Sequence, residues 1–238
     1  MLYPCVSVPQ MVDDFESYRD KLRRKRTILA RPRGDQISVP ATAGSRYFAD
    51  GQRRIVTRLK RRLGRAWQCG GVLVTLTYDP KRISKVQAWQ GVGEHRRELV
   101  NKLWLWRRRH GYGKRPLGFL AVLEVQPGTG YPHVHLVFPN VRWLIGAQEL
   151  ARLWGHGYTD VRLRDFVSPT AYVCKYIAKM RAWTDESLAY LHNFRVRLYS
   201  VGRRYFLPVP RVYSPWFFVA QVIAPPQPVV CRVRLDTT

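Results

Sequence analysis

None of the four cysteines, Cys5, Cys69, Cys174 and Cys231, falls in a C-x-x-C pair, and their wide separation argues against both a zinc knuckle and a disulfide framework. No run of about 18 apolar residues occurs, so no membrane-spanning helix is expected. The stretch Met1–Gln10 lacks the charged-then-apolar order of a signal peptide, which points to an intracellular location. No G-x-x-x-x-G-K-[ST] motif is present: Gly111–Arg115 (GYGKR) has neither the spacing nor the hydroxyl, so the chain does not read as an ATP-driven helicase. Acidic residues are scarce. Only 16 Asp plus Glu stand against 41 Lys plus Arg, a formal charge of +25, and a compact protein tolerates that density best beside a polyanion. Nucleic acid is the leading partner, with a merely basic soluble protein or an anionic membrane surface as the readings that composition leaves open.

What is present suffices for a real core, with 46% hydrophobic residues in 238. Three regions are expected: a basic, mostly helical extension over 1–65, a main domain over 66–222, and an extended tail over 223–238. In the extension, Lys21–Arg26 (KLRRKR) and Arg53–Arg65 (RRIVTRLKRRLGR) are the peaks of charge, and Ile55, Leu59 and Leu63 make one apolar stripe for docking on the core. Arg53, Arg54, Lys60, Arg61 and Arg62 are its candidate DNA contacts. Arg31–Gly44, rich in Pro, Gly, Ala and Ser, reads as a flexible connection.

In the main domain, strands are predicted over Val72–Tyr78, Leu117–Val125, His133–Phe138 and Thr159–Leu163. Helices are predicted over Glu94–Arg109, Gln148–Trp154 and Thr170–Met180. Leu198–Val219 reads as a hairpin or edge strands. The order is mixed rather than strictly alternating, which favours an antiparallel α+β sheet over a doubly wound one.

His133 and His135 stand two apart in a predicted strand, so both rings leave one face roughly 6–7 Å apart and can converge on one ion. Chance gives about 0.15 such pairs in this composition, so the pair needs support. Glu124, at the end of the preceding apolar strand, supplies it: a tight turn through Pro127–Pro132 brings the carboxylate back beside the rings, with Gln126 on the same face. Two imidazoles and one carboxylate leave coordination positions open, which suits a catalytic Mg²⁺, Mn²⁺ or Zn²⁺. Tyr172 and Tyr176 lie four apart on a predicted helix, each followed three residues later by a lysine, Lys175 and Lys179, so two hydroxyls and two ammonium groups are expected in one patch.

The stretch Leu123–Phe138 (LEVQPGTGYPHVHLVF) resembles the His-hydrophobic-His motif of HUH endonucleases. Val74–Pro80 (VTLTYDP) is similar to the first motif of that superfamily, and Ala171–Lys179 (AYVCKYIAK) to its tyrosine motif, in the same order. The resemblance covers about Gly71 to Met180, with Tyr199–Arg203 as an extension. It implies a five-stranded antiparallel sheet of the RRM (ferredoxin-like) type, with the His pair on a central strand and the tyrosine helix opposite. It also implies that a rolling-circle replication initiator of a plasmid or virus nicks and joins single-stranded DNA at a replication origin, through a 5′-phosphotyrosine. Glu124, His133 and His135 would hold Mg²⁺ or Mn²⁺. Tyr172 and Tyr176 would be the nucleophiles, as in the two-tyrosine branch, and Lys175 and Lys179 would favour the phenolate. A host helicase and polymerase would be partners, in the cytoplasm of a prokaryotic host or a virus-infected cell. The competing readings are a transposase with the same chemistry, a non-catalytic basic nucleic-acid-binding protein, and a zinc hydrolase; the last would have no use for the tyrosines.

Overall fold

The computed structural model describes residues 6–31, 34–63, 69–113, 117–166, 169–202 and 217–223. These residues form helices α1 (Val8–Arg23), α2 (Ala49–Leu63), α3 (Lys85–Arg109), α4 (Ala147–Trp154), α5 (Pro169–Lys179) and α6 (Asp185–Asn193). The strands are β1 (Lys25–Ala30), β2 (Gln36–Pro40), β3 (Cys69–Tyr78), β4 (Leu120–Val125), β5 (Pro132–Pro139), β6 (Gly157–Phe166), β7 (Tyr199–Val201) and β8 (Phe217–Ile223).

The main sheet has the order β6-β3-β5-β4-β7 with every neighbouring pair antiparallel, so the chain adopts the expected α+β class with a five-stranded antiparallel sheet. Alternation along the strands separates two faces. One carries Val72, Val74, Leu76 and Tyr78 of β3 with Val134, Leu136 and Phe138 of β5, all buried. This face packs on α3 and α4: Trp154 of α4 donates from Nε1 to the Thr77 carbonyl at 3.1 Å and meets Tyr78 edge to face with ring centroids 5.1 Å apart. The other face carries Thr75, Thr77, His133, His135, Val122 and Glu124, and α5 packs across its β4 side.

Helix α3 begins nine residues before the predicted start. Ser84 accepts from the Gln87 N–H while the Gln87 side chain accepts from the Ser84 N–H, a capping box that satisfies two otherwise orphaned donors. Gly91 lies inside this helix, and a Cβ there would collide with the His95 ring. That ring stacks on His156 with centroids 3.9 Å apart and takes the Tyr78 hydroxyl at 2.9 Å on Nδ1. Helix α6, capped by Thr184, lies outside the predicted elements.

The N-terminal segment, expected to be mostly helical, contains two helices, of which α2 is strongly basic and α1 is not, and also a hairpin. In place of the flexible connection expected there, Gln36–Pro40 pairs antiparallel with β1, followed by a 3-10 turn at Ala41–Gly44. β1 also pairs with β8, giving a second sheet of order β2-β1-β8. The segment is part of the core, since Phe15 of α1 and Leu59 of α2 are almost fully buried in the same apolar cluster as the main sheet. Leu59 and the partly buried Ile55 belong to the stripe read from the sequence, and the side chain of its third member, Leu63, lies outside the described residues. Of the two alternatives expected for Leu198–Val219, edge strands are found: β7 lies beside β4 at the edge of one sheet and β8 beside β1 at the edge of the other. The tail from 224 onward lies outside the described residues. Among the described residues no helix is long and apolar enough to cross a membrane.

Candidate active site

The turn between β4 and β5 builds the site. Gln126 and Tyr131 bond across it through their backbones, Gly130 takes a left-handed φ of 73°, and Trp89 of α3 donates to the Gly130 carbonyl at 2.9 Å. The resulting register sets Glu124 directly opposite His133 and Val122 opposite His135. On the other side of β5, Thr77 lies opposite His133 and Thr75 opposite His135. Five polar side chains of three adjacent strands therefore share one patch, as the period of two demands.

Each imidazole is held from behind by a threonine: His133 Nδ1 lies 3.1 Å from Thr77 Oγ1, and His135 Nδ1 lies 3.2 Å from Thr75 Oγ1. The ring centroids are 4.8 Å apart. His135 Nε2 is 2.9 Å from Glu124 Oε2. The carboxylate can only accept, so Nε2–H is assigned as the donor, and Nδ1 of a neutral His135 accepts from Thr75. Lys179 donates to the other carboxylate oxygen, Oε1. Burial raises the Glu124 carboxyl, but the hydrogen bonds and charges of His135 and Lys179 outweigh it and hold the group at about 2. Burial, then His135, lowers the His133 imidazole to about 4 despite the pull of Glu124. His133 is therefore neutral at pH 7, the form in which an imidazole nitrogen ligates.

Helix α5 lies over this patch. The Tyr176 ring stacks on His135 with centroids 4.2 Å apart and an interplanar angle of 28°. Its hydroxyl donates to the Tyr172 hydroxyl at 2.7 Å, and Lys179 Nζ sits 4.9 Å from its ring centroid. Burial first, then the bond to Tyr172 and the charge of Glu124, push the Tyr176 phenol well above its ordinary pKa. Tyr176 is buried and Tyr172 half-buried, so Tyr172 is the more accessible of the two.

Of the residues singled out in the sequence, Glu124, His133, His135, Tyr172, Tyr176 and Lys179 are brought together. Lys175 is not part of that cluster. It is exposed and lines a groove of about 470 Å³ between α5 and α2, together with Arg53, Lys60 and Arg181. On α5, Lys175 stands about 80° from the mid-line of the two tyrosines and Lys179 about 40° at ~100° per residue, which explains why only the second reaches the patch. Arg53 and Arg54 are exposed on α2; Arg61 and Arg62 have their backbone in that helix, and their side chains lie outside the described residues. Gln126 lies beyond β4, on the wall of a cavity of about 510 Å³ that also touches Glu124 and Lys179.

Sequence reasoning passes over Thr75 and Thr77 as functional residues. Their sequence signal is the alternation of hydroxyls in Val74–Tyr78 at the same spacing as the histidines. Strand β6 extends the patch with Tyr158 opposite Thr77, Asp160 opposite Thr75 and Arg162 opposite Leu73, all exposed. Among the described residues no three His, Cys, Asp or Glu side chains stand in a metal-holding arrangement as placed, with Glu124 turned to His135 and Lys179.

Over residues 71–181 the chain matches the model of a family of replication-associated proteins, of the ORF2 type. The match begins in β3, ends just past α5, and takes in the histidines, Glu124 and both tyrosines while leaving out the N-terminal segment. It points to a role in DNA replication. No curated protein and no solved structure gives a significant match.

Proposed function

We propose that the chain is a replication initiator that nicks and rejoins single-stranded DNA at an origin by the HUH reaction, forming a covalent 5′-phosphotyrosine. The observation that carries this reading is the stacking of Tyr176 on His135, which puts two phenols against two imidazoles and a carboxylate on one sheet face. The donor set suits Mg²⁺ or Mn²⁺: one carboxylate and two imidazoles, each imidazole oriented from behind by a threonine, with room left for substrate oxygens. A bound ion would supply Lewis-acid activation of the phosphodiester.

The chain's own residues do the rest. Tyr172 accepts the hydrogen bond of Tyr176, a bond that stabilises its phenolate, so Tyr172 makes the first attack. Its oxygen bonds to phosphorus, the bond from phosphorus to the 3′-oxygen breaks, and the 3′-oxygen leaves with a proton as a free hydroxyl. Tyr176 is positioned for the second transfer. Arg162 and Arg164 of β6, exposed beside the patch, are suited to hold flanking phosphates of the strand. A host polymerase then extends the free 3′ end behind a host helicase that unwinds the duplex.

The deciding experiment mixes the full chain with Mn²⁺ and single-stranded oligonucleotides tiling its replicon, then separates products under denaturing conditions. A covalent adduct that disappears when Tyr172 and Tyr176 are both phenylalanine supports the reading. An adduct that persists in that double variant sinks the assignment and turns attention to Tyr158, the exposed tyrosine of the same face.

A further inference from the structure

The site described above makes no use of a large groove in the N-terminal half. This groove, about 780 Å³, is walled by α2, the end of α6 and β7. Arg54 and Arg58 enter it from successive turns of one flank of α2, Arg195 enters from just beyond α6, and the rings of Tyr18, Tyr47 and Tyr199 line it. All three arginines are exposed, and among the described residues none of them forms an ion pair and no carboxylate lines the groove. Guanidinium groups gathered around one space repel each other, and an anion relieves the repulsion.

Arg195 gives an independent sign. Helix α6 ends in a Schellman motif: the Val196 N–H donates to the Leu191 carbonyl at 3.1 Å and the Arg195 N–H to the His192 carbonyl at 3.0 Å. Arg195 occupies its left-handed position with φ 51°, a place that favours glycine because a Cβ is strained there. His192 and Asn193 of the motif also line the groove, and the chain carries the strain at the arginine among them. Tyr199 ties the groove to the sheet: it pairs with Val122, on the same face as His135, at the edge opposite β6.

We propose that this groove binds nucleotide units of single-stranded DNA outside the scissile position, with phosphates on Arg54, Arg58 and Arg195 and bases against the tyrosine rings. The proposal rests on the reading that the chain handles single-stranded DNA. A single strand is favoured over a duplex because tyrosine rings can stack only on bases whose faces are free.

The test uses the full chain in EDTA, where no metal-dependent cleavage enters, and follows the fluorescence anisotropy of a labelled oligonucleotide of ~30 residues, single-stranded or annealed to its complement, over a range of salt. The variants are Arg195→Gly and Arg58→Ala. Arg195→Gly is expected to melt at a higher temperature than the parent and yet bind the single strand about 3- to 10-fold more weakly, with the slope of log K against log salt shallower by about 0.7. Arg58→Ala should weaken binding and flatten the slope alike, and the duplex should lose less than the single strand in both. Unchanged affinity and slope in the two variants, or a larger loss for the duplex, overturns the proposal. Because these measurements need no adduct, they stand or fall separately from the nicking reaction.

Discussion

Replacing Glu124 with glutamine keeps the shape of the side chain and removes its charge, so it measures what the charge contributes. A carboxyl ordinarily near 4.5 and held at about 2 interacts with its surroundings more favourably as the carboxylate by about 3 kcal/mol, at roughly 1.4 kcal/mol per pH unit. The Glu124 side chain is 12% exposed but that of Lys179 is 45% exposed, so the lysine share is screened and the expected loss is about 2 kcal/mol. Because the folded-state pKa is depressed, this contribution is fully present above the unfolded value and is lost as pH falls through the folded one. Urea unfolding without divalent ions, followed by tryptophan fluorescence, should therefore find Glu124→Gln less stable by about 2 kcal/mol at pH 7 and nearly equal to the parent near pH 2. The low pKa of His133 adds an acid limb between about 6.5 and 4 in both proteins, and because Glu124 pulls that pKa up the limb runs deeper in Glu124→Gln until Glu124 of the parent is itself protonated. A gap that stays constant across pH, or no gap at pH 7, would refute the claim that Glu124 works here as a charge between His135 and Lys179.

Tyr172→Phe should abolish the first adduct, whereas Tyr176→Phe should leave adduct formation slowed by about 10-fold or more, through loss of a hydrogen bond to the attacking oxygen, and impair rejoining; quenched-flow gels distinguish the two. Saturating Mn²⁺, at about 100 times its Kd, should raise the melting temperature of the parent by about 5–10 °C and should fail to do so in His135→Gln. Gly91→Ala should cost about 1–3 kcal/mol by forcing His95 off His156, read as a lower urea midpoint with an unchanged slope. Excising residues 15–65 should unfold the chain rather than merely weaken DNA binding, because Phe15 and Leu59 go with it; circular dichroism of the truncated protein checks this.

The fold class and the gathering of the histidines with Glu124 were more legible in the sequence than the N-terminal elements around them. A period of two fixes the faces of His133 and His135 whatever the neighbours are, and an acid closing an apolar strand before a tight turn has few places to go. The threonines behind the rings depend on which strand lies beside β5 and in what register, and that is set by the packing of the whole sheet. Lys175 and Lys179 match the same spacing rule, but the rule names neighbours along the helix and not which of them faces the sheet. The β1 and β2 hairpin was hidden because Lys25–Ala30 opens with charged residues and Gln36–Pro40 ends in proline, so neither shows an apolar alternation. The expected start of α3 at Glu94 lies nine residues inside the helix, whose capping box at Ser84 and Gln87 is followed by two glycines, Gly91 and Gly93.

The pairing of β1 with β8 also sets an order of events during synthesis. Lys25–Ala30 emerges from the ribosome and finds Gln36–Pro40 almost at once, but its other edge waits for Phe217–Ile223, about 190 residues later, or roughly 10–40 s at ~5–20 residues per second. All five strands of the main sheet lie upstream of Gly202, so the nascent chain can complete its site while that edge is still open. Lys25 and Arg26 on the waiting strand are the kind of residues that discourage pairing with a second chain in the interval. A product released before Phe217 is therefore expected to keep the face that holds the histidines and to carry a permanently unpaired strand, which makes ribosome-bound and prematurely terminated copies the forms most exposed to association through β1.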